Sequence, residues 1–112
     1  MLKVFIATSN ASEGQILEMT FSQRSFQVQL SATGPSNYLE FVQFKPDVII
    51  MEITSEFIDQ CATLKLVRQN RKIKKTPIIG YGYHKKVNSI HQFISSGLTK
   101  FFIKPLRIGL IF

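Results

Sequence analysis

A chain of 112 residues and 12.8 kDa has the mass of one domain, since chains usually divide at roughly 100 to 200 residues per domain. Apolar residues at 45% against 19% charged exclude a disordered tail, the single cysteine Cys61 excludes an internal disulfide framework and fits a reducing cytoplasm, and no run approaches the ~18 apolar residues of a membrane span. Fourteen Lys and Arg against seven Asp and Glu give a formal charge of +7, a bias toward acidic partners that a merely basic surface also explains.

The opening run Val4-Phe5-Ile6-Ala7 is too short for a secretory signal and suits a buried strand. Asn10 with Glu13 has the spacing of a capping box, and Ile16, Leu17, Thr20 and Phe21 then share one helical face, so a first helix is expected to end near Arg24. Phe26, Val28 and Leu30 alternate with Gln27, Gln29 and Ser31, the period of a strand with one wet face. Gly34-Pro35-Ser36 breaks the chain, and Asn37 with Glu40 caps a second helix carrying Leu39 and Val42. Lys45-Pro46 ends it, because the residue before proline is pushed out of the helical region.

Val48-Ile49-Ile50-Met51 runs without a polar break, as a central parallel strand covered on both faces does. Ile58, Cys61, Ala62 and Leu64 mark a third helix extending towards Arg71, and Pro77-Ile78-Ile79 opens a fourth strand. Val87, Ile90 and Ile94 have helical spacing, with Gly97 placed to end that helix. Phe101-Phe102-Ile103 is the fifth strand, and Leu106 begins a fifth helix. Strands alternating with helices require crossover connections, hence a single doubly wound α/β domain over residues 1–112, its parallel sheet between two helical layers. Ligands of such sheets gather beyond the carboxyl ends of the strands, which singles out Thr8 and Ser9, Glu52 to Ser55, Gly82 to His84, and Lys104. Phe112 follows Pro105 by only about two helical turns. A short or truncated last helix is expected, from a piece excised out of a longer chain or from a face completed against a partner.

Three segments, Lys45-Pro46-Asp47-Val48-Ile49-Ile50-Met51-Glu52-Ile53, Thr76-Pro77-Ile78-Ile79 and Ser96-Gly97-Leu98-Thr99-Lys100-Phe101-Phe102-Ile103-Lys104-Pro105, together resemble the receiver domain of two-component response regulators over essentially the whole chain. The resemblance implies a flavodoxin-like, CheY-like three-layer sandwich with five parallel strands in the order 2-1-3-4-5. It also implies a pocket, built from an acidic pair after the first strand for Mg²⁺, an acceptor aspartate after the third, a Ser or Thr after the fourth and a lysine before proline after the fifth. Thr8 and Ser9 stand at the acidic pair, Glu52 at the acceptor and Gly82 at the hydroxyl position, and only Lys104 is retained. Phe101 matches the aromatic residue that reorients on activation. The chain resembles a degenerate pseudo-receiver.

Charge counting gives the physical consequence. Mg²⁺ takes near-octahedral oxygen ligands and normally needs one or two carboxylates, whereas Thr8 and Ser9 offer neutral hydroxyls and Glu52 stands beside the ammonium of Lys104. A neutral pocket is expected, with no cofactor and no Mg²⁺. Phosphoryl transfer depends on positioning and cationic neutralisation, and the extra methylene of Glu52 displaces its carboxylate by roughly 1.5 Å. Three roles stay open for Glu52: a conformation-fixing pair with Lys104, a mimic of phosphoaspartate, and a residual acceptor. The missing hydroxyl at Gly82 counts against the mimic.

Lys65, Arg68, Lys72 and Lys75 would form one basic stripe if the third helix continues that far, a solvated face or a contact for nucleic acid or an acidic protein. Lys85-Lys86 reads as a surface loop; His84 and His91 lack partners at metal-ligand spacing, and Ser9, Ser55 and Cys61 assemble no triad. The resemblance also points to a partner face on the fourth helix, fifth strand and fifth helix, with Phe93, Phe102, Arg107, Ile108 and Phe112 upon it. A homodimer or an adjacent protein domain is expected there, with a histidine kinase or an output domain as candidate partners and no membrane. The expected function is that of a non-enzymatic receiver-like interaction module in two-component phosphorelay signalling, independent of phosphorylation. The alternatives are a receiver that still accepts phosphate with Mg²⁺ and a basic nucleic-acid-binding regulator.

Overall fold

The structure, a computed structural model, describes residues 1–54, 57–83 and 90–107. Five strands, β1 (Lys3–Ala7), β2 (Gln27–Ser31), β3 (Val48–Glu52), β4 (Ile78–Gly82) and β5 (Lys100–Ile103), alternate with four helices, α1 (Ala11–Gln23), α2 (Asn37–Phe44), α3 (Phe57–Gln69) and α4 (Ile90–Ser96). Every strand pair is parallel and the sheet runs β2-β1-β3-β4-β5. This is a flavodoxin-like doubly wound sheet in the expected strand order.

Alternation along the strands sorts two cores, because successive side chains point to opposite faces. Phe5, Ala7, Ile49, Met51 and Ile78 join Phe41 of α2, Cys61, Leu64 and Val67 of α3 and Phe93 of α4 on one face. Val4, Ile6, Ile50, Ile79 and Tyr81 join Leu17 and Phe21 of α1 on the other, with Phe102 and Leu106 packed against them. Both faces of β1, β3 and β4 are covered, which explains their unbroken apolar runs. The rings of Phe5 and Phe41 meet edge to face at 4.7 Å, so truncating either removes a fully buried aromatic at a cost of roughly 3–5 kcal/mol.

Several local expectations are corrected by packing. On α1 the inward residues are Gly14, Leu17 and Phe21, while Ile16 is 65% exposed. On α2 the inward residues are Asn37 and Phe41, and Leu39 is exposed. On α4 Phe93 is buried and Ile94 exposed. Leu17 and Phe21 face inward as expected and Val42 packs against the core, so the correction falls on Ile16, Leu39 and Ile94 alone, which the seating of the larger inward rings turns out to solvent. Helix α3 stops at Gln69 and a turn occupies 71–75, which breaks the stripe of Lys65, Arg68, Lys72 and Lys75. Leu106 and Arg107 are not helical; the rest of the expected fifth helix, with Ile108 and Phe112, lies outside the described residues, as do Ser55, His84, Lys85, Lys86 and Val87.

Arg68 is turned inward. Its guanidinium donates to the carbonyls of Gly97 at 2.7 and 2.9 Å, Lys74 at 3.0 Å and Thr76 at 2.6 Å. Gly97 ends α4 at φ 132, and a Cβ there would lie 2.6 Å from Arg68 Cγ. Glycine is required at that position both by the backbone angle and by the close approach of Arg68.

Candidate functional site

Parallel pairing brings the carboxyl ends of β1, β3, β4 and β5 to one edge of the domain. Thr8 follows β1, Glu52 closes β3, Gly82 closes β4 and Lys104 follows β5. Neighbouring strands lie about 4.8 Å apart, so Lys104 must reach across β4 to meet β3. It does: Lys104 Nζ donates to Glu52 Oε2 at 2.7 Å, with the side chains only 8% and 12% exposed. On the way its ammonium passes 5.5 Å from the Tyr81 ring centroid and 4.7 Å from that of Tyr83, distances at which a cation is attracted to a ring face.

The second oxygen of Glu52 is engaged from β1. Thr8 Oγ1 donates to Glu52 Oε1 at 2.9 Å, and the Ser9 N–H donates to the same oxygen at 3.1 Å. Thr8 Oγ1 in turn accepts from the Asn10 N–H at 3.1 Å, tying the pocket to the start of α1. Burial alone would raise the Glu52 pKa, but the bonds from Lys104, Ser9 and Thr8 outweigh it and hold the carboxyl below its ordinary value. Burial likewise works against the Lys104 ammonium, and its bonds to Glu52 and Glu13 overcome that and raise it. Burial pushes the Tyr81 phenol up to about 12.

Glu13 is the pocket residue that sequence reasoning missed. Asn10 caps α1 as expected, its Oδ1 accepting from the Glu13 N–H at 3.0 Å. The Glu13 carboxylate, however, does not return to the Asn10 N–H, which Thr8 has taken; it lies 3.1 Å from Lys104 Nζ and accepts a long 3.5 Å bond from the Tyr81 hydroxyl. Among the described residues, the expectation of one acid beside one amine is corrected to two carboxylates sharing one ammonium, a formal charge of −1. The only signal in the sequence was an acid in the first turn of the helix that follows β1.

Gly82 and Phe101 are neighbours in this pocket. A Cβ on Gly82 would stand 3.2 Å from the Ile53 carbonyl oxygen and 3.6 Å from Phe101 Cε2, so the ring of half-buried Phe101 borders the place where a hydroxyl side chain would begin. Of the expected partner face, Phe93 is 1% exposed and belongs to the core. Its ring fills the space between α4 and the sheet and is closed to a partner. Phe102 is half-buried against the second core, and Arg107 is exposed.

The oxygens of this pocket are already engaged with protein donors. Both Glu52 oxygens accept from protein donors, Glu13 Oε1 is held by Lys104, and the acidic-pair positions carry hydroxyls. A divalent cation would have to displace the ammonium from both carboxylates. Among the described residues no group of three or more His, Cys, Asp or Glu side chains is placed to hold a metal, and no helix is long and apolar enough to cross a membrane.

The fold is that of the receiver domains of response regulators. No protein-family model matches the chain. It is similar to the two-component response regulator-like protein APRR5 of Arabidopsis thaliana, 26% identical over 109 residues, covering 95% of this chain and 19% of that protein. Among solved structures it superposes on the chemotaxis protein CheY4 of Vibrio cholerae with a TM-score of 0.85 at 22% identity, covering 99% of this chain and 92% of that one. The receiver domain of the sensor histidine kinase PA1611 of Pseudomonas aeruginosa, which has a magnesium ion coordinated in its active-site cleft, superposes with a TM-score of 0.83 at 15% identity, covering 98% and 90% of the two chains.

Proposed function

We propose that this chain is a receiver-like domain that serves two-component signal transduction as a cytoplasmic protein interaction module, held in one state without the phosphotransfer cycle. The contact from Lys104 to Glu52 at 2.7 Å carries this reading. The amine that a receiver would use on an incoming phosphoryl group is committed to an internal carboxylate. The carboxylate at the acceptor position is committed to Lys104, Thr8 and Ser9. Phosphoryl transfer rests on cationic neutralisation and an in-line geometry, and neither is on offer without first opening this network.

In this reading Glu52 fixes conformation. Gly82 supports the choice, since no side-chain hydroxyl stands there to grip a phosphate or its mimic. Signalling then runs through contacts with a protein partner, a kinase, an output domain or a second copy. The exposed Ile94 of α4 and Ile103 of β5 favour that side of the molecule, joined by Arg107. The test is intact mass spectrometry after incubation with acetyl phosphate and Mg²⁺. An unmodified chain is expected, and a labile acyl-phosphate adduct would overturn the proposal.

A further inference from the structure

The topology gathers charge at the end of the sheet opposite the pocket. Every connection from a helix into the next strand lies there, because all five strands are parallel. Those connections, with the first residues of β1 and β5, carry eight Lys and Arg residues against the single carboxylate of Asp47. Asp47 is itself engaged, accepting from the Lys3 N–H at 2.7 Å.

Helix dipoles do not account for this excess. Helices α1 to α4 all end at this face, and each C-terminus supplies about half a negative charge. Four such ends offset about two of the cations. The remainder is a surface of net positive charge centred on Lys45, Arg71, Lys72, Lys74, Lys75 and Lys100, all exposed.

Four of those six sit on one rigid turn. Ile73, between them, is 1% exposed and anchored in the core. Asn70 Oδ1 accepts from the Lys72 N–H at 2.9 Å, the Ile73 N–H donates to the Asn70 carbonyl, and Arg68 grips the carbonyls of Lys74 and Thr76. Cations held this way bind an anion with little further ordering of the backbone. Beside the turn Leu66 of α3 is 45% exposed and borders Asn70, Arg71 and Lys72, one aliphatic side chain among cations where protein interfaces usually centre on packed aromatic anchors; the exposed Met1 and Leu2 lie by β1, on the far side of β3.

We propose that this end of the domain is a docking surface for the phosphate backbone of nucleic acid, bound without regard to sequence. Its loops present charge to phosphates, and among the described residues no helix projects from it to read base edges. The surface is separate from the pocket, and its proposal does not depend on how the pocket works.

The test is fluorescence anisotropy of the full chain with two unrelated duplexes of about 20 base pairs, between about 50 and 200 mM salt. With about five phosphates neutralised, the logarithm of affinity should fall against the logarithm of salt with a slope of about −4.5, equally for both sequences. Lys72→Gln/Lys74→Gln/Lys75→Gln should reduce the slope to about −2, with an unchanged circular dichroism spectrum because Ile73 and Arg68 are untouched. Lys65→Gln, on the exposed side of α3, should leave it unchanged. Absence of binding at the lowest salt, or a slope indifferent to the triple substitution, overturns the proposal. Displacement by poly-glutamate as readily as by unlabelled duplex at equal charge also overturns it, in favour of an acidic protein.

Discussion

Lys104 and Glu52 meet across an intervening strand, 52 residues apart in the chain, at 2.7 Å. That contact bridges β5 to β3 over β4, and Glu13 closes it from α1 on the far side at 3.1 Å. A buried network of this kind fixes a conformation more than it adds stability, since desolvation offsets most of the Coulomb gain. Breaking it is another matter.

Removing one partner of a buried pair leaves an uncompensated charge and costs roughly 3–5 kcal/mol. Lys104→Met, which leaves Glu13 and Glu52 facing each other with no cation, should destabilise the fold by about 3 kcal/mol in urea denaturation. Lys104→Met combined with Glu52→Gln should recover at least about 1 kcal/mol of that, because contacting residues are not additive. Strict additivity in the double-mutant cycle would show that the two side chains do not interact.

The same network sets the pH dependence. Glu52 is held below its ordinary 4.5 in the fold, so its contribution is present above that value and is lost as pH falls through the folded pKa. Lys104 is held above its ordinary 10.5, and Tyr81 is raised to about 12. Their contributions are present below the unfolded values, near 10, and are lost as pH rises through the folded ones. Stability by urea titration should therefore be flat through neutrality and fall at both ends. Glu52→Gln should shallow the acid limb, and an unchanged acid limb in that variant would contradict the assignment.

Restoring a hydroxyl at position 82 should not restore a switch. Gly82→Ser places a Cβ 3.2 Å from the Ile53 carbonyl and 3.6 Å from the Phe101 ring, and overpacking of this kind costs about 1–3 kcal/mol. The expected result is lowered stability and shifted Phe101 ring resonances, with no phosphorylation by acetyl phosphate. A neutral substitution with an unmoved ring would mean that Phe101 does not border that space.

Arg68 is expected to behave as a core residue despite its charge. Arg68→Ala leaves carbonyls of Gly97, Lys74 and Thr76 without their donor, and unsatisfied groups of this sort cost about 1–3 kcal/mol. Arg68→Lys should not rescue, because an ammonium cannot span carbonyls from two loops as the planar fork does. Hydrogen exchange should quicken in the 70–77 loop; a loss of stability with unchanged exchange there would contradict the role.

What the sequence disclosed follows from the range of each interaction. Strand and helix alternation was legible because apolar periodicity is local, and the strand order followed from the resemblance. Asn10 was legible as a cap, since its bond to the Glu13 N–H spans one turn. The destination of the Glu13 carboxylate was not, because Lys104 is brought to it only by the crossovers of the sheet. Arg68 failed for the same reason: its spacing with Lys65 fits a solvent stripe, and the carbonyls of Lys74, Thr76 and Gly97, brought together by the fold, turn it inward. Phe93 and Ile94 show the limit of period counting, where a helix rotates by one residue to seat the larger ring. Thr8, Ser9, Glu52, Gly82 and Lys104 were legible as positions at or just after strand ends, because parallel strands carry their carboxyl ends to one edge.

The central claim is that Lys104 and its carboxylates close the pocket to a divalent cation. The direct measurement is a Mg²⁺ titration of backbone and side-chain amide spectra, with beryllofluoride added at the end. The account predicts no saturable shift at Ser9, Glu52 or Lys104 with either addition. Saturable shifts centred on those residues, abolished by Glu52→Gln, would contradict it.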